Sequence, residues 1–523
     1  MRDRASWGSQ SGPTAQGAGS RIKSSCAYVD GVSALGGLGP GGVGGGADVG
    51  DDTRESRATR VTNPDSGQNA IDKRDYGHAR ELRRAFAGRF RWIPERKGWT
   101  RWIGGRWKAV PEERVFLVAS RTLQKTYEKY KAAATDEKEK KRFKRKIREA
   151  CMSSHINGGL KFLAGHKDVL TSLEQFDRKK WLLNVQNGTL NLHSLKVQEY
   201  DAAHLMTKTA GVSFEPDAGS QHWDSFIYRI LPNANVRRYV QRQLGKAMAG
   251  AVLQERLDIW WGTGANGKTT LARVMLGLFG DYARRAAPSL LIASRYERHP
   301  TEIADLAGSR LVFSVEVDQG KRLAEALVKD LTGGDRKKAR FMRQDFFEFE
   351  QTFDIVLIVN HKPVITGTDP GVWRRIRLVP FEVQIPQKEQ RAQDELIAEL
   401  LKEGAAILNW LIEGLRDYHD DPKWMAEEVS AATDAYRDEM DHIGKFIADH
   451  CEVKPRATVE VGKLYIAYQA WCAQQGEDPL RKNQFGSTMR ERGYAQKQLG
   501  QNRQRAWVGL RLIRDVESPV EQK

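Results

Sequence analysis

The densest chemistry in the sequence lies in LDIWWGTGANGKTTLARVMLGLFG, residues 257–280. Gly262 and Gly267 bracket Thr263, Gly264, Ala265 and Asn266, and Lys268, Thr269 and Thr270 follow directly. Glycines at this spacing let backbone N–H groups turn toward an anion with no Cβ in the way. A helix starting at Lys268 adds the partial positive charge of its N-terminus. The Lys268 ammonium can then reach the β- and γ-phosphates of a nucleotide, and the Thr269 hydroxyl can supply an oxygen to Mg²⁺. The apolar run before the loop and the amphipathic run after it predict the strand–loop–helix context that this chemistry needs.

Hydrolysis also needs a carboxylate near the γ-phosphate. SRLVFSVEVDQG (309–320) predicts an apolar strand ending in acids, and Glu316 and Asp318, two apart, share one side of it. Either can hold the metal or polarise the attacking water. FDIVLIVNHKP (353–363) predicts another strand, ending in Asn360, where open α/β sheets bind ligands and where an amide can orient water. DPGVWRRIRLVPFE (369–382) sets Arg374 and Arg375 just before a further strand. A guanidinium there either pairs with an acidic residue or reaches a neighbouring subunit's γ-phosphate. Between the acid strand and the Asn strand, LVKDLTGGDRKKARFMRQDFFEFEQ (327–351) predicts a short strand–turn–strand crowded with Lys337, Lys338, Arg340 and Arg343, a surface suited to a polyanion.

These residues need a scaffold, and the rest of the chain supplies its outline. Residues 223–250 and 391–418 carry apolar residues at helical spacing. WLLNVQNGTLNLHS (181–194) predicts two short strands about Asn187-Gly188. Residues 72–108 hold 12 Lys/Arg against 4 Asp/Glu, interleaved with Trp92, Trp99, Trp102 and Trp107. The simplest reading is a β-meander cored by those tryptophans and turning at Gly104-Gly105; stacking on single-stranded nucleic acid is the alternative. DEKEKKRFKRKIRE (136–149) predicts a solvated, charge-laced helix. In the C-terminal part, spacing predicts helices over 461–471 and 482–492 and two strands within 494–513 about Leu499-Gly500-Gln501-Asn502. Helix, helix and hairpin in that order fit a winged helix offering Lys482 and Arg490 to duplex DNA.

Composition sets the bounds. The chain has 523 residues, a net charge of +17 and a pI near 9.6, a balance that expects nucleic acid or another polyanion. No run reaches the ~18 apolar residues of a membrane-spanning helix, and MRDRASWGSQSG has no apolar signal-peptide core. Cys26, Cys151, Cys451 and Cys472 lie far apart without a CxxC pair, which argues against a disulfide framework or structural zinc and for a reducing compartment. Glycines crowd the first 50 residues, so a disordered tail is expected over 1–70.

GTGANGKTT, SVEVD, VKDLTGGDRKKAR, IVNHKP and GVWRRIRLVPF occur in this order over about 120 residues. This series resembles the superfamily 3 helicases, and within them the phage, plasmid and poxvirus helicase–primase family. The NGTLNL segment and the C-terminal KNQFGSTMRERGYAQKQLGQNRQRAWVGLRLI extend the resemblance to about 76–515. It implies an AAA+-like α/β P-loop NTPase core at 251–390, a mainly helical family-type N-terminal domain at 71–250, a helical extension at 391–440, a winged helix at 441–515 and a tail at 516–523. It also implies ATP and Mg²⁺ as cofactors and a hexameric ring that translocates on DNA, single-stranded in the channel and duplex at the winged helix. Carried over by position, Lys268 and Thr269 fall in motif A, Glu316 in motif B, Lys329, Gly334, Asp335 and Arg340 in the basic intermediate motif, Asn360 at sensor 1, and Arg374/Arg375 in the finger region. Asp318 departs from the adjacent acid pair of some members. The Gly-rich residues ahead of position 76 hold no acid cluster or zinc ligands, so primer synthesis is expected from a separate primase or polymerase rather than from this chain. The setting expected is the cytoplasm of a bacterial host, in the replication of a phage, prophage or plasmid. A DNA-binding initiator or packaging component that uses ATP only as a switch is the alternative.

Overall fold

Four apolar runs and the short edge segment ARRA supply the central sheet. The computed structural model describes residues 74–294, 300–315, 319–343, 345–366, 369–499 and 503–513. The expected tail over 1–70, Glu316 and Asp318 lie outside these residues. The sheet strands are Leu257–Trp261 (β1), Ala283–Ala286 (β2), Leu311–Val315 (β3), Asp354–Val359 (β4) and Ile376–Pro380 (β5). They lie side by side in the order β5-β1-β4-β3-β2, every pair parallel. Leu357 of β4 stands opposite both Ile259 of β1 and Ser314 of β3.

A parallel sheet is covered on both faces, so its strands read as continuous apolar runs. Alternate residues part to opposite sides. Trp260, Phe313, Val356 and Ile358 join one buried cluster, and Ile259, Val312, Ile355 and Leu357 join the other. The first cluster takes in the helix Lys268–Phe279, the helices His222–Ile230, Ala234–Ala247 and Gly404–Asp420, and Leu183, Val185 and Leu190. The hydrophobic core therefore runs across residue 250. The second cluster includes Val328 and Tyr436, from the helices Glu325–Thr332 and Glu427–Met440. The latter helix lies along edge strand β5, where Leu378 N–H donates to Thr433 Oγ1 at 2.9 Å.

Ahead of the sheet, the strands Phe90–Ile93, Gly98–Ile103 and Arg106–Val110 form an antiparallel meander turning at Gly104-Gly105. Trp99 and Trp107 are buried, at 3% and 1% exposure, so the tryptophans build a core as the simpler reading expected. The charged run forms the helix Glu137–Glu149, capped by the Asp136 carboxylate. Two expectations need correction. The 182–191 hairpin turns on Gln186-Asn187, because Val185 already pairs with Gly188; a Cβ at Gly188 would collide with Val197. Residues 223–250 form two helices, broken where Pro232 removes an N–H donor, and 391–418 divides into Gln393–Lys402 and Gly404–Asp420.

The C-terminal residues hold a core of their own around Phe446, Tyr468, Trp471, Phe485 and Trp507. Their elements are the helices His442–His450, Val461–Gln475 and Lys482–Glu491 and an antiparallel sheet of Cys451–Glu460, Gln504–Leu512 and Gln496–Leu499, in that spatial order. The strand Cys451–Glu460 was not expected from sequence.

Candidate functional site

The loop Gly262–Gly267 leaves the carboxyl end of β1, a central strand, and runs into the helix Lys268–Phe279. Gly264, Ala265 and Gly267 all take positive φ (108°, 50° and 80°), which wraps the backbone into a cradle of N–H groups. Asn266 is buried and ties the loop to β5, its Nδ2 donating to Phe381 O at 3.2 Å. Ile385 N–H donates to Ala265 O at 2.7 Å and straps the segment after β5 along the loop.

Lys268 is 3% exposed. Its Nζ donates to Gly262 O at 2.8 Å and Asn266 Oδ1 at 2.9 Å and lies 3.4 Å from Asn360 Oδ1. Each of these acceptors is neutral. Burial lowers the Lys268 pKa to about 8. A desolvated cation whose acceptors among the described residues are neutral suits an anion. Thr269 is exposed in the first helical turn, where its hydroxyl is free to meet a ligand, whereas Thr270 is buried and its Oγ1 accepts from Gln393 Nε2 at 3.2 Å. Asn360 stands at the end of β4, beside β1 and β3, and the structure brings it to Lys268.

The arginine pair divides. Arg375 is 8% exposed, its guanidinium donating to Gly371 O at 2.8 Å and Glu255 Oε2 at 2.6 Å. The Arg374 side chain is 67% exposed and lies 3.6 Å from the same carboxylate. The structure thus makes Arg375 an internal anchor and leaves Arg374 at the surface.

The basic segment forms a hairpin of Lys337–Ala339 and Phe347–Phe349, with Lys338 opposite Glu348. Strand alternation sorts its cations. Lys338 is exposed and Arg340 partly so, their charged groups 5.3 and 5.0 Å from the Phe346 ring centroid. Arg343 sits at the tip with φ 59°, between the exposed Met342 and Phe346. Lys337 corrects the expectation of a surface cation: it is 3% exposed, and its Nζ donates to Asp330 Oδ1 at 2.8 Å. Lys329 lies off the hairpin. It lies in the helix Glu325–Thr332 and pairs with Asp369, whose carboxyl it holds below the usual carboxylate range. Lys482 and Arg490 are exposed at the two ends of the helix Lys482–Glu491.

Sequence reasoning missed much of the cleft beside the loop. It measures about 560 Å³, and its walls include Phe226, Arg229, Ile385, Gln393 and Leu396 along with residues 264–270 and Asn360. The missed residues come from two segments far apart in the chain, 226–229 and 385–396, so no contiguous pattern could signal them.

Strand order, loop and cleft define an α/β protein whose parallel sheet carries a nucleotide-type loop at its carboxyl edge. Comparison with known proteins adds what the chain is similar to. Residues 79–232 match the model described as "D5 N terminal like" and residues 438–515 the one described as "Poxvirus D5 protein-like". The two matched stretches lie on either side of the parallel sheet along the chain and are similar to D5-type domains, as the sequence resemblance implied. "Putative primase C962R" of African swine fever virus (isolate Tick/Malawi/Lil 20-1/1983) is 24% identical over 325 residues, covering 57% of this chain and 34% of that protein. "Putative helicase L207/L206" of Acanthamoeba polyphaga mimivirus is 26% identical over 215 residues, covering 40% and 22%. The chain thus spans about a third or less of the length of these relatives. The A-form apo structure of the NrS-1 C-terminal region is similar at 10% identity and a TM-score of 0.46, covering 84% of this chain and 100% of that one.

Proposed function

We propose that the chain is an ATP-hydrolysing DNA helicase of the superfamily 3 type, acting in the replication of a phage, prophage or plasmid. The observation that carries this is Lys268: a buried ammonium whose acceptors among the described residues are all neutral, in a cradle of backbone N–H groups, 3.4 Å from the amide of Asn360. An anion with three phosphates supplies the missing negative charge, and the names of the relatives support a motor on DNA. In this reading Lys268 binds the β/γ-phosphates and the loop from Gly262 to Thr270 cradles them. Asn360 orients water, and Arg374 reaches the γ-phosphate bound by the next subunit of a hexameric ring. Thr269, with Glu316 and Asp318 assigned from sequence, would hold Mg²⁺, which supplies charge neutralisation on the phosphates.

Lys338, Arg340 and Arg343 are offered to single-stranded DNA in the channel, and the exposed Phe346 beside them suits base stacking. The C-terminal elements are read as a winged helix, with Lys482 and Arg490 on duplex phosphates.

The direct test is strand displacement on a forked duplex with Mg-ATP. The full chain is expected to unwind it. The Lys338→Ala/Arg340→Ala double variant is expected to lose DNA stimulation of the ATPase by about tenfold while basal hydrolysis persists. DNA binding without displacement would favour the ATP-switched initiator.

A pH dependence follows as well. Folding lowers the Lys268 pKa to about 8, while phosphate binding needs the ammonium. Affinity for ATP is therefore expected to be flat between pH 7 and about 8. Above that Kd should rise by about tenfold per pH unit, because binding must take up a proton. Titrations at several pH values check this; a flat Kd to pH 9.5 would contradict it.

A further inference from the structure

We infer that a second cavity, which shares no wall residue with the cleft at Lys268, binds a single phosphate group through Lys208 and Arg96. This goes beyond the nucleotide reading and does not depend on it. The cavity measures about 110 Å³ and is walled by the segment 173–180, residues 207–208, the loop before β3 and the strand Phe347–Phe349 of the basic hairpin. Sites that enclose a whole small ligand run to roughly 300–1,000 Å³. A water takes up about 30 Å³ in the liquid, so this cavity holds a few waters or one tetrahedral oxyanion.

The charges on its walls sort into paired and unpaired. Arg336 pairs with Glu174 at 3.1 Å and Glu348 at 3.5 Å, and Lys180 pairs with Glu350. Asp177 accepts from Thr207 N–H at 2.8 Å and from the Thr207 hydroxyl. Lys208 and Arg96 are left over. Lys208 is 8% exposed, and among the described residues its ammonium has no hydrogen bond or ion pair. Its stem runs over Gly308, where a Cβ would come within 2.7 Å of Cε. Arg96 Nε is buried without an acceptor, the guanidinium lying 5.1 Å from the Phe341 ring centroid. Burial lowers the Lys208 pKa to about 8 against the pull of Asp177, and Arg96 adds to the lowering. Two desolvated cations thus face one carboxylate that is already bonded to Thr207, and a buried charge without a partner is costly. A phosphate supplies charge and acceptors together: the guanidinium fork matches two of its oxygens, and the ammonium acts as a point charge. Arg96 and Lys208 lie in the 79–232 match, whereas the facing wall belongs to the hairpin of Lys338 and Arg340. A bound phosphate would tie these two parts of the chain together. Free inorganic phosphate and the terminal phosphate of a nucleic-acid strand share this chemistry.

The test uses the full chain carrying Lys268→Ala, so that the nucleotide loop lacks its cation. Inorganic phosphate is titrated in by calorimetry, and melting is followed in phosphate and in chloride at equal ionic strength. The chain is expected to bind phosphate. Adding Lys208→Met keeps the stem and removes the charge; phosphate affinity should fall at least about tenfold, with melting in chloride unchanged or higher. General stabilisation by phosphate as a salt acts on both chains alike and cancels in this comparison. Single strands ending in a 5′-phosphate or a 5′-hydroxyl separate the sources. A preference for the phosphate end that Lys208→Met removes identifies a strand terminus; equal binding of both strands, with inorganic phosphate still bound, identifies the free ion. No phosphate binding by the parent chain, equal affinity in the Lys208→Met chain, or a melting temperature in chloride that falls on Lys208→Met would overturn the inference.

Discussion

Lys268→Ala is expected to abolish ATP binding, raising Kd by at least about a hundredfold, while leaving the empty protein as stable as before or more so. The two effects have one cause. The ammonium is buried, and among the described residues it donates to Gly262 O and the amide oxygens of Asn266 and Asn360. Its lowered pKa means that folding disfavours the charge. The cost is fully present below about pH 8 and relieved as pH rises from there toward 10.5, the unfolded value. Alanine removes that cost. Phosphates reverse the sign, because truncating one partner of a buried, hydrogen-bonded charge pair typically costs about 2–5 kcal/mol. Binding titrations and thermal melts on the same samples check both halves. A large drop in melting temperature would mean that Lys268 serves the fold; unchanged ATP affinity would remove it from the site.

What was legible in the sequence followed contiguity. The loop from Gly262 to Thr270 is read from adjacent residues, because its function resides in local backbone geometry. Asn360 was legible because a polar residue ends an apolar strand, and strand order then carries it to Lys268. Lys337 was not, since the phase of a three-residue strand decides which cations face inward, and charge alone does not reveal the Asp330 acceptor. The strand Cys451–Glu460 was hidden by its polar sequence, CEVKPRATVE; its pairing with Gln504–Leu512 breaks register between Val453 and Thr458, around Pro455. Phe226, Arg229 and Ile385 meet only through tertiary packing, so their spacing carries no signal.

Arg374 and Arg375 show the same limit at the point of greatest consequence. Adjacent arginines are equivalent on paper, yet one is anchored to Glu255 and Gly371 and the other projects into solvent. Arg375→Ala should remove a buried guanidinium that ties Gly371 O to Glu255 and lower the melting temperature. Arg374→Ala should leave melting and ATP affinity unchanged and lower kcat, because an arginine supplied across an interface stabilises charge that develops only in the transition state. Such arginines are worth about 10³–10⁵ in rate in related phosphoryl-transfer enzymes, so a loss of at least a hundredfold is expected.

Mixing distinguishes a finger from an internal catalytic arginine. Lys268→Ala chains lack the phosphate cation and keep Arg374; Arg374→Ala chains keep the cation and lack the arginine. Neither hydrolyses ATP alone. In a ring with head-to-tail interfaces, an equal mixture gives roughly a quarter of interfaces with both groups intact, and activity should return in that proportion where subunits exchange. No recovery at any ratio, with mixed assembly established by cross-linking, would place Arg374 outside the reaction. Recovery with Arg375→Ala chains but not with Arg374→Ala chains would reverse the assignment, and would require Arg375 to leave Glu255 when subunits meet.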